Sequence, residues 1–439
     1  LKLSKKFYLP ALGLALALAA FFRFWAAPLS AGPDIGQFWA FAKVFHTHGL
    51  DFYSYAQGTA AIFPFKYWGF VYPPVWLLLL GLALLFVPGS AATQVMVDSG
   101  WRLAMKTPII IADLAIGCLL YWAVPGSRLR KLLFACLWLF HPTVWYESAV
   151  FGQFDAVAAA FLLAAIVLLE RNRDRLAFIL AGLAVMTKQH TLIPIAVMVV
   201  IFARQVNWRR LVGNLAILAG VVIIISIPFL LTGNLAGYAQ SLFLPGHAPG
   251  YQIPLVYAFS GSGALLTHLH NVFGWETSLF IPFTIPIMLT GIVAVLLLSY
   301  QSAITPAQGA LAGFLAFIAL SYQVNYQYLV IYIPIALLVA ARTRFIGERA
   351  LTLVLALLPA VWLWLFDVSF WFTYLGPTSP WVTPILARIG LTHPALPDYV
   401  YVAFALVLMG LSIAYVACLF TRWHGSKEEA KPLLNTPTG

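Results

Sequence analysis

GPDIGQFWAFAKVFHTHG, residues Gly32–Gly49, decides how the chain is read. A Gly-Pro turn leads out of the first apolar run into a helix whose first turn carries Asp34, and Phe38, Phe41 and Phe45 recur at helical spacing. Such an apolar face suits the membrane surface and would hold Asp34 where lipid and water meet. First-turn aspartates also serve as simple helix caps, so this residue alone leaves a structural and a functional reading open. An acidic group at that depth is costly without a purpose.

Composition sets the class around this stretch. The 439 residues are 62% hydrophobic and 9% charged, with a mean hydropathy of +0.91, far above soluble usage. Long unbroken apolar runs, rather than short alternating strands, give an all-α polytopic membrane protein and exclude an outer-membrane barrel. The net charge of +11 lies in short clusters between apolar runs, the mark of cytoplasmic loops, so no nucleic-acid partner is expected. Cys118, Cys136 and Cys418 all sit in apolar segments without paired spacing, which indicates neither disulfides nor a zinc site.

Charge order then orients the chain. Lys2, Lys5 and Lys6 precede the apolar run Phe7–Trp25, which puts the N-terminus in the cytoplasm; a cleaved signal peptide with small residues near Ala27 would leave the next segment outside as well. Asp34 is external in both cases. The clusters Ser127–Lys131, Glu170–Arg175, Ala203–Arg210, Ala341–Phe345 and the tail after Phe420 are expected on the cytoplasmic side. Apolar pieces at 107–124, 132–147, 155–169, 176–187, 191–203, 211–232, 278–298, 309–322, 328–340, 350–366 and 399–420, with the first helix, predict about twelve crossings. One run is left over: VYPPVWLLLLGLALLFV, Val71–Val87. A simple crossing there would put a basic cluster on the wrong side, so it is expected to enter or lie along the membrane without a net crossing.

The predicted organisation is a first transmembrane helix (1–27), an external amphipathic and membrane-embedded segment (28–106), a transmembrane module (107–232), an external loop (233–277), C-terminal transmembrane helices (278–420) and a cytoplasmic tail (421–439) that is polar and expected to be disordered after Arg422. Polar residues gather toward the external side: His141–Asp155, the break Thr187–His190, the break Gln323–Tyr328, and a loop carrying His247, His268 and His270. The protein is therefore expected in the cell membrane, or in the endoplasmic reticulum of a eukaryote, with its site facing outside or into the lumen.

Ordered blocks carry a resemblance. YPPVWLLLLGLALL (Tyr72–Leu85), VDSGWRLAMKTPIIIADLAIGCLLYW (Val97–Trp122), His141-Pro142 and MTKQHTLIPIAVM (Met186–Met198) resemble, in order, segments of the dolichyl-phosphate-glucose glucosyltransferases of the N-glycan pathway. Those enzymes are members of the C-type glycosyltransferase superfamily, and the likeness runs from Asp34 to about Phe202. It implies a C-type bundle and metal-independent, inverting transfer of a hexose from a polyprenyl-phosphate donor to a lipid-linked oligosaccharide or other glycolipid acceptor, with no cofactor. The family keeps its catalytic acid in the first external segment, which falls on Asp34 here. The block Gly152-Gln153-Phe154-Asp155 departs from the glucosyltransferase pattern and looks more like polyprenyl-phosphate-mannose enzymes and oligosaccharyltransferases, which leaves glucose and mannose both open.

Such a transfer needs a carboxylate to take the acceptor proton and fixed donors to stabilise the leaving phosphate. Lys188, Gln189 and His190 sit at a break between short helices where they could meet that phosphate, although lysines also snorkel and histidines also fill cores. Arg102 and Lys106, read as lying just before a membrane helix on the external side, break the positive-inside trend and invite a phosphate. Gln153, Asp155, Tyr72 and His141 complete the candidate donor site; Asp155 is also a plausible helix cap, as is Asp98. Tyr72, Trp76 and Trp145 are ordinary interfacial aromatics, and aromatic faces also stack on sugar rings. Asp113, within an apolar helix, needs a buried partner. A lipid-linked-sugar transporter or flippase is the competing reading, since carriers also use broken helices and embedded acids; internally repeated halves are missing from this sequence.

Overall fold

Lipid offers no partner for backbone N–H and C=O groups, so apolar runs close their own hydrogen bonds as helices. The computed structural model describes residues 7–32, 34–56, 69–93, 96–232, 235–243, 259–322, 324–365 and 398–430. In chain order the helices are α1 (Tyr8–Ala26), α2 (Asp34–His48), α3 (Phe52–Tyr55), α4 (Pro74–Phe86), α5 (Ser99–Ala123), α6 (Arg128–Leu139), α7 (Pro142–Trp145), α8 (Asp155–Leu169), α9 (Asp174–Thr187), α10 (Leu192–Gln205), α11 (Trp208–Thr232), α12 (Leu235–Phe243), α13 (Ser262–Phe273), α14 (Ile281–Gln301), α15 (Pro306–Leu320), α16 (Leu329–Arg342), α17 (Ile346–Leu365) and α18 (Asp398–Ala430). A π-helical turn, Tyr146–Phe151, follows α7. Two short antiparallel pairings, Ala92–Thr93 with Met96–Val97 and Phe259–Ser260 with Val324–Asn325, are the extended elements among the described residues.

Among the described residues five helical stretches are long and apolar enough to cross a membrane: Tyr8–Leu29, Ser99–Ala123, Trp208–Thr232, Pro282–Gln301 and Tyr399–Thr421. Shorter apolar helices accompany them, so the expected count of about twelve full crossings is not reproduced. The predicted crossing 132–147 is broken, because α6 stops at Leu139 and His141-Pro142 starts a new turn. Helix α5 begins earlier than expected. Asp98 Oδ1 caps it by accepting from the Trp101 N–H at 2.8 Å, which places Arg102 and Lys106 inside the helix rather than before it. Helix α18 runs to Ala430, so the tail expected to be disordered after Arg422 starts as helix.

The bundle has two chemically different ends. At one, Arg130 donates to the Ala341 carbonyl at 2.7 Å, Arg171 to that of Trp122 at 3.1 Å, Arg342 pairs with Glu170 and Arg210 with Asp174. Clusters separated by up to 211 residues of chain thus meet on one side, as the charge pattern requires. The other end gathers Asp34, Gln153, Asp155 and Lys188. Helix α4 belongs wholly to this second end: Val71, just before it, accepts from Gln189 Nε2 at 2.9 Å, while Val87, just after it, packs on Gly100 at the start of α5. Its 13 residues span about 20 Å, short of a hydrocarbon layer of about 30 Å. A non-crossing α4 follows.

The aromatic face of α2 does not lie on lipid as expected. Phe38 packs on Trp76 and Phe154 at 5.4 and 6.0 Å between ring centres, and Phe41 on Phe70 at 5.1 Å. Trp76, expected at the interface, is fully buried and stacks on Phe154 at 4.4 Å. Apolar area of this size is better hidden against α4 than left at a water-rich surface.

Candidate active site

Asp34 opens α2 and is held from the far side of the sequence. Gln153 Nε2 donates to its Oδ2, while Oδ1 has no hydrogen-bond partner among the described residues and the side chain is only partly buried. The contact depends on the turn before Gln153. Gly152 has φ +86°, and a Cβ there would lie 2.9 Å from Ile35 and 3.1 Å from the Lys106 stem, so the left-handed conformation and the tight space both call for glycine. The Gly152 and Gln153 N–H groups donate back to the Glu147 carbonyl at 2.9 and 2.8 Å. Gly32 N–H bonds the Phe151 carbonyl at 3.2 Å, docking the segment before α2 on the π turn. Burial raises the Asp34 acid above its ordinary value; the Gln153 amide and the Lys188 charge oppose that rise.

Lys188 and Asp155 form the second part. The Lys188 ammonium lies 2.6 Å from both Asp155 oxygens, with the ring faces of Tyr328, Phe154 and Tyr72 at 4.7, 4.9 and 5.9 Å. Both side chains are removed from solvent. Asp155 is therefore a buried ion-pair partner rather than only a helix cap. Gln189 keeps its Oε1 unpartnered, and His190 lies between Tyr328 and Phe317 with Nδ1 unpartnered. Tyr72 sits against Phe154 at 4.8 Å. Asp34, Gln153, Asp155, Lys188, Gln189, His190 and Tyr72 are thus brought to one place.

Three expectations change. Lys106, read as a phosphate ligand, is saturated: its ammonium lies 2.7–3.1 Å from the carbonyls of Ala27, Ser30, Ala149 and Val150 and from Ser30 Oγ. It closes the C-terminal end of the π turn, where backbone carbonyls lack helical donors. His141 is tied to the Ala356 carbonyl of α17 at 2.9 Å, its one side-chain hydrogen bond among the described residues, rather than to Asp34, Gln153 or Lys188. Arg102 remains a buried guanidinium whose Nε and Nη1 have no hydrogen-bond partner among the described residues.

Two charges escaped the sequence reading. Glu147, buried on the π turn, stands within electrostatic range of Asp155, Lys188 and Asp34. Its one signal was an acid eight residues before Asp155 in an otherwise apolar run. Arg23 is the buried partner that Asp113 requires, at 2.8 Å, with Ser148 Oγ donating to the same Asp113 oxygen at 2.5 Å. That pair sits below the site and fixes α1, α5 and the π turn together.

The model of the family described as Glycosyltransferase family 87 matches residues 70–322, more than half of the chain. The chain belongs to glycosyltransferase family 87. A family-87 protein with several long apolar helices is a membrane glycosyltransferase, and transferase chemistry is favoured over a carrier. The matched region of this family-87 chain includes Tyr72, Arg102, Glu147, Gln153, Asp155 and Lys188, whereas Asp34 precedes it. No curated protein matches the chain.

Proposed function

We propose that this family-87 protein is an inverting, metal-independent hexosyltransferase that moves glucose or mannose from a polyprenyl-phosphate donor to a glycolipid or lipid-linked oligosaccharide on the external or lumenal face. The observation that carries the reading is the Asp34 carboxylate. One oxygen is fixed by Gln153, the other has no partner among the described residues, and the residue is only partly buried, which suits a general base facing an acceptor hydroxyl. Asp34 takes that proton while the hydroxyl oxygen attacks the anomeric carbon and the bond to the carrier phosphate breaks on the opposite side. Phosphate leaves as a stabilised anion, so no general acid is needed.

Lys188 and the Gln189 Nε2 proton not given to the Val71 carbonyl supply donors for that anion. Asp155 shares Lys188 with it and keeps the ammonium charged in a buried setting. Tyr72 and His190 form walls of the donor site, while Lys106 holds the turn that aims Gln153. The external placement rests on the arginine-rich end of the bundle facing the cytoplasm.

The test is incubation of purified protein with a panel of polyprenyl-phosphate sugars and a lipid extract. Consumption of one hexose donor, an inverted anomer in the product and full turnover in the presence of a chelator are expected. Donor untouched by the active preparation, or a retained anomer, would end the proposal.

A further inference from the structure

At the end of the bundle opposite Asp34 a cavity of about 780 Å³ opens among four chain junctions: the α8–α9 turn, the α10–α11 junction, the α14–α15 junction and the end of α16. Arg171, Arg204, Arg210 and Arg342 line it, against two carboxylates, Glu170 and Asp174. The balance is two positive charges in surplus. Hydrogen bonding leaves much of this charge unused. Arg204 engages only through Nη1, on the carbonyls of Tyr300 and Ser302, so its Nε and Nη2 have no partner among the described residues. Arg171 lays its guanidinium 3.2 Å from the Trp122 ring centre and gives one N–H to the Trp122 carbonyl, which leaves Nε and Nη1. Arg210 commits Nε and Nη2 to Asp174 and keeps Nη1.

The walls are mixed. Phe202, Ile304 and Pro306 supply apolar surface beside the arginines. The helices rising from this rim, α11 and α14, are the least enclosed of the long ones, with only 11% and 17% of their apolar windows buried, so they meet lipid. Trp208, which starts α11, is 68% exposed, and Arg209 stacks on it, an arrangement suited to headgroup depth. Phosphate-directed guanidinium groups beside apolar walls and lipid-facing helices describe one ligand chemistry.

We infer that this cavity binds the phosphate headgroup of an anionic phospholipid from the leaflet at the arginine-rich end, distinct from the transfer site. Loose arginines in a solvated loop would bind no lipid selectively. This cavity holds its guanidinium groups in place through carbonyls, a ring face and two carboxylates, so the cost of ordering them is already met before a lipid arrives.

The test uses delipidated, detergent-solubilised full-length protein, titrated with short-chain phosphatidylglycerol, short-chain phosphatidylcholine and inorganic phosphate, with tryptophan fluorescence as readout. Phosphatidylglycerol is expected to bind about thirtyfold more tightly than phosphatidylcholine, the scale of two arginine contacts to an anionic headgroup. The double variant Arg171→Gln/Arg204→Gln should lose that preference, and Arg171→Lys/Arg204→Lys should keep most of it. Binding of the sugar donor at the other end serves as the folding control and should be the same in all three proteins. Equal affinity for the two lipids in the unaltered protein, or a preference that survives in the glutamine variant, would overturn the inference. Inorganic phosphate that binds as tightly as phosphatidylglycerol and displaces it would overturn the lipid source and assign the cavity to a soluble phosphate compound.

Discussion

Lys106 in α5 and Lys188 after α9 are both fully buried, and both looked like phosphate ligands, yet their surroundings divide their roles. Among the described residues the hydrogen-bond partners of Lys106 are all neutral oxygens, from the segment just after α1 and from the π turn. Its three protons are oversubscribed, and a phosphate would have to pull the ammonium out of a helix terminus. Around Lys188 there is one carboxylate and three aromatic faces. A carboxylate can share an ammonium with a second anion, and the Asp34–Gln153 contact lies within its electrostatic reach. Burial therefore does not assign function to a lysine; the chemistry of what surrounds it does.

The largest effect tests the chemistry on the Lys188 side. Asp34→Asn keeps size and the Gln153 neighbour but accepts no proton, so turnover should fall by roughly a hundred- to ten-thousandfold. Donor affinity, measured separately by equilibrium binding, should barely move. Near-normal transfer would send the search for the base to Asp155.

Next come the lysines themselves. Lys188→Met leaves Asp155 buried without its partner, which costs about 3–5 kcal/mol of stability in such pairs, and donor binding should weaken as well. Adding Asp155→Leu should restore most of the stability and none of the donor affinity. If the double variant regained donor binding, Lys188 would be structural in the same sense as Lys106.

Lys106→Met should act on stability alone. Several carbonyls lose their donor at once, for a loss of about 2 kcal/mol seen in denaturant unfolding, while the folded fraction binds donor normally. A drop in donor affinity with stability intact would collapse the contrast between the two regions.

The smallest effect sharpens the electrostatics. A base works deprotonated, and Asp34 is shifted upward by burial, so the acid limb of activity should lie above the usual aspartate range. Gln153→Ala removes a hydrogen bond that lowers the Asp34 value. The limb should then move to higher pH, with the rate deficit greatest in acid and shrinking as pH rises. A limb that stays in place would disconnect Gln153 from Asp34.

Much of this was readable from the chain. Helix class, the basic clusters that meet at one end, the non-crossing Val71–Val87 run and the first-turn position of Asp34 all follow from hydropathy, charge order and local periodicity, which depend on neighbours in sequence. Asp98 as a cap was equally local. What the tertiary structure decided were the partners across long separations. Gln153 meets Asp34 over 119 residues, Arg23 meets Asp113 over 90, and Lys106 meets Ser30 over 76. The polarity of a residue type is written in its side chain, but which oxygen will neutralise or orient it is set by how helices dock. That docking turned Lys106 into a clasp, His141 into an anchor for α17, and Glu147 into a neighbour of the site.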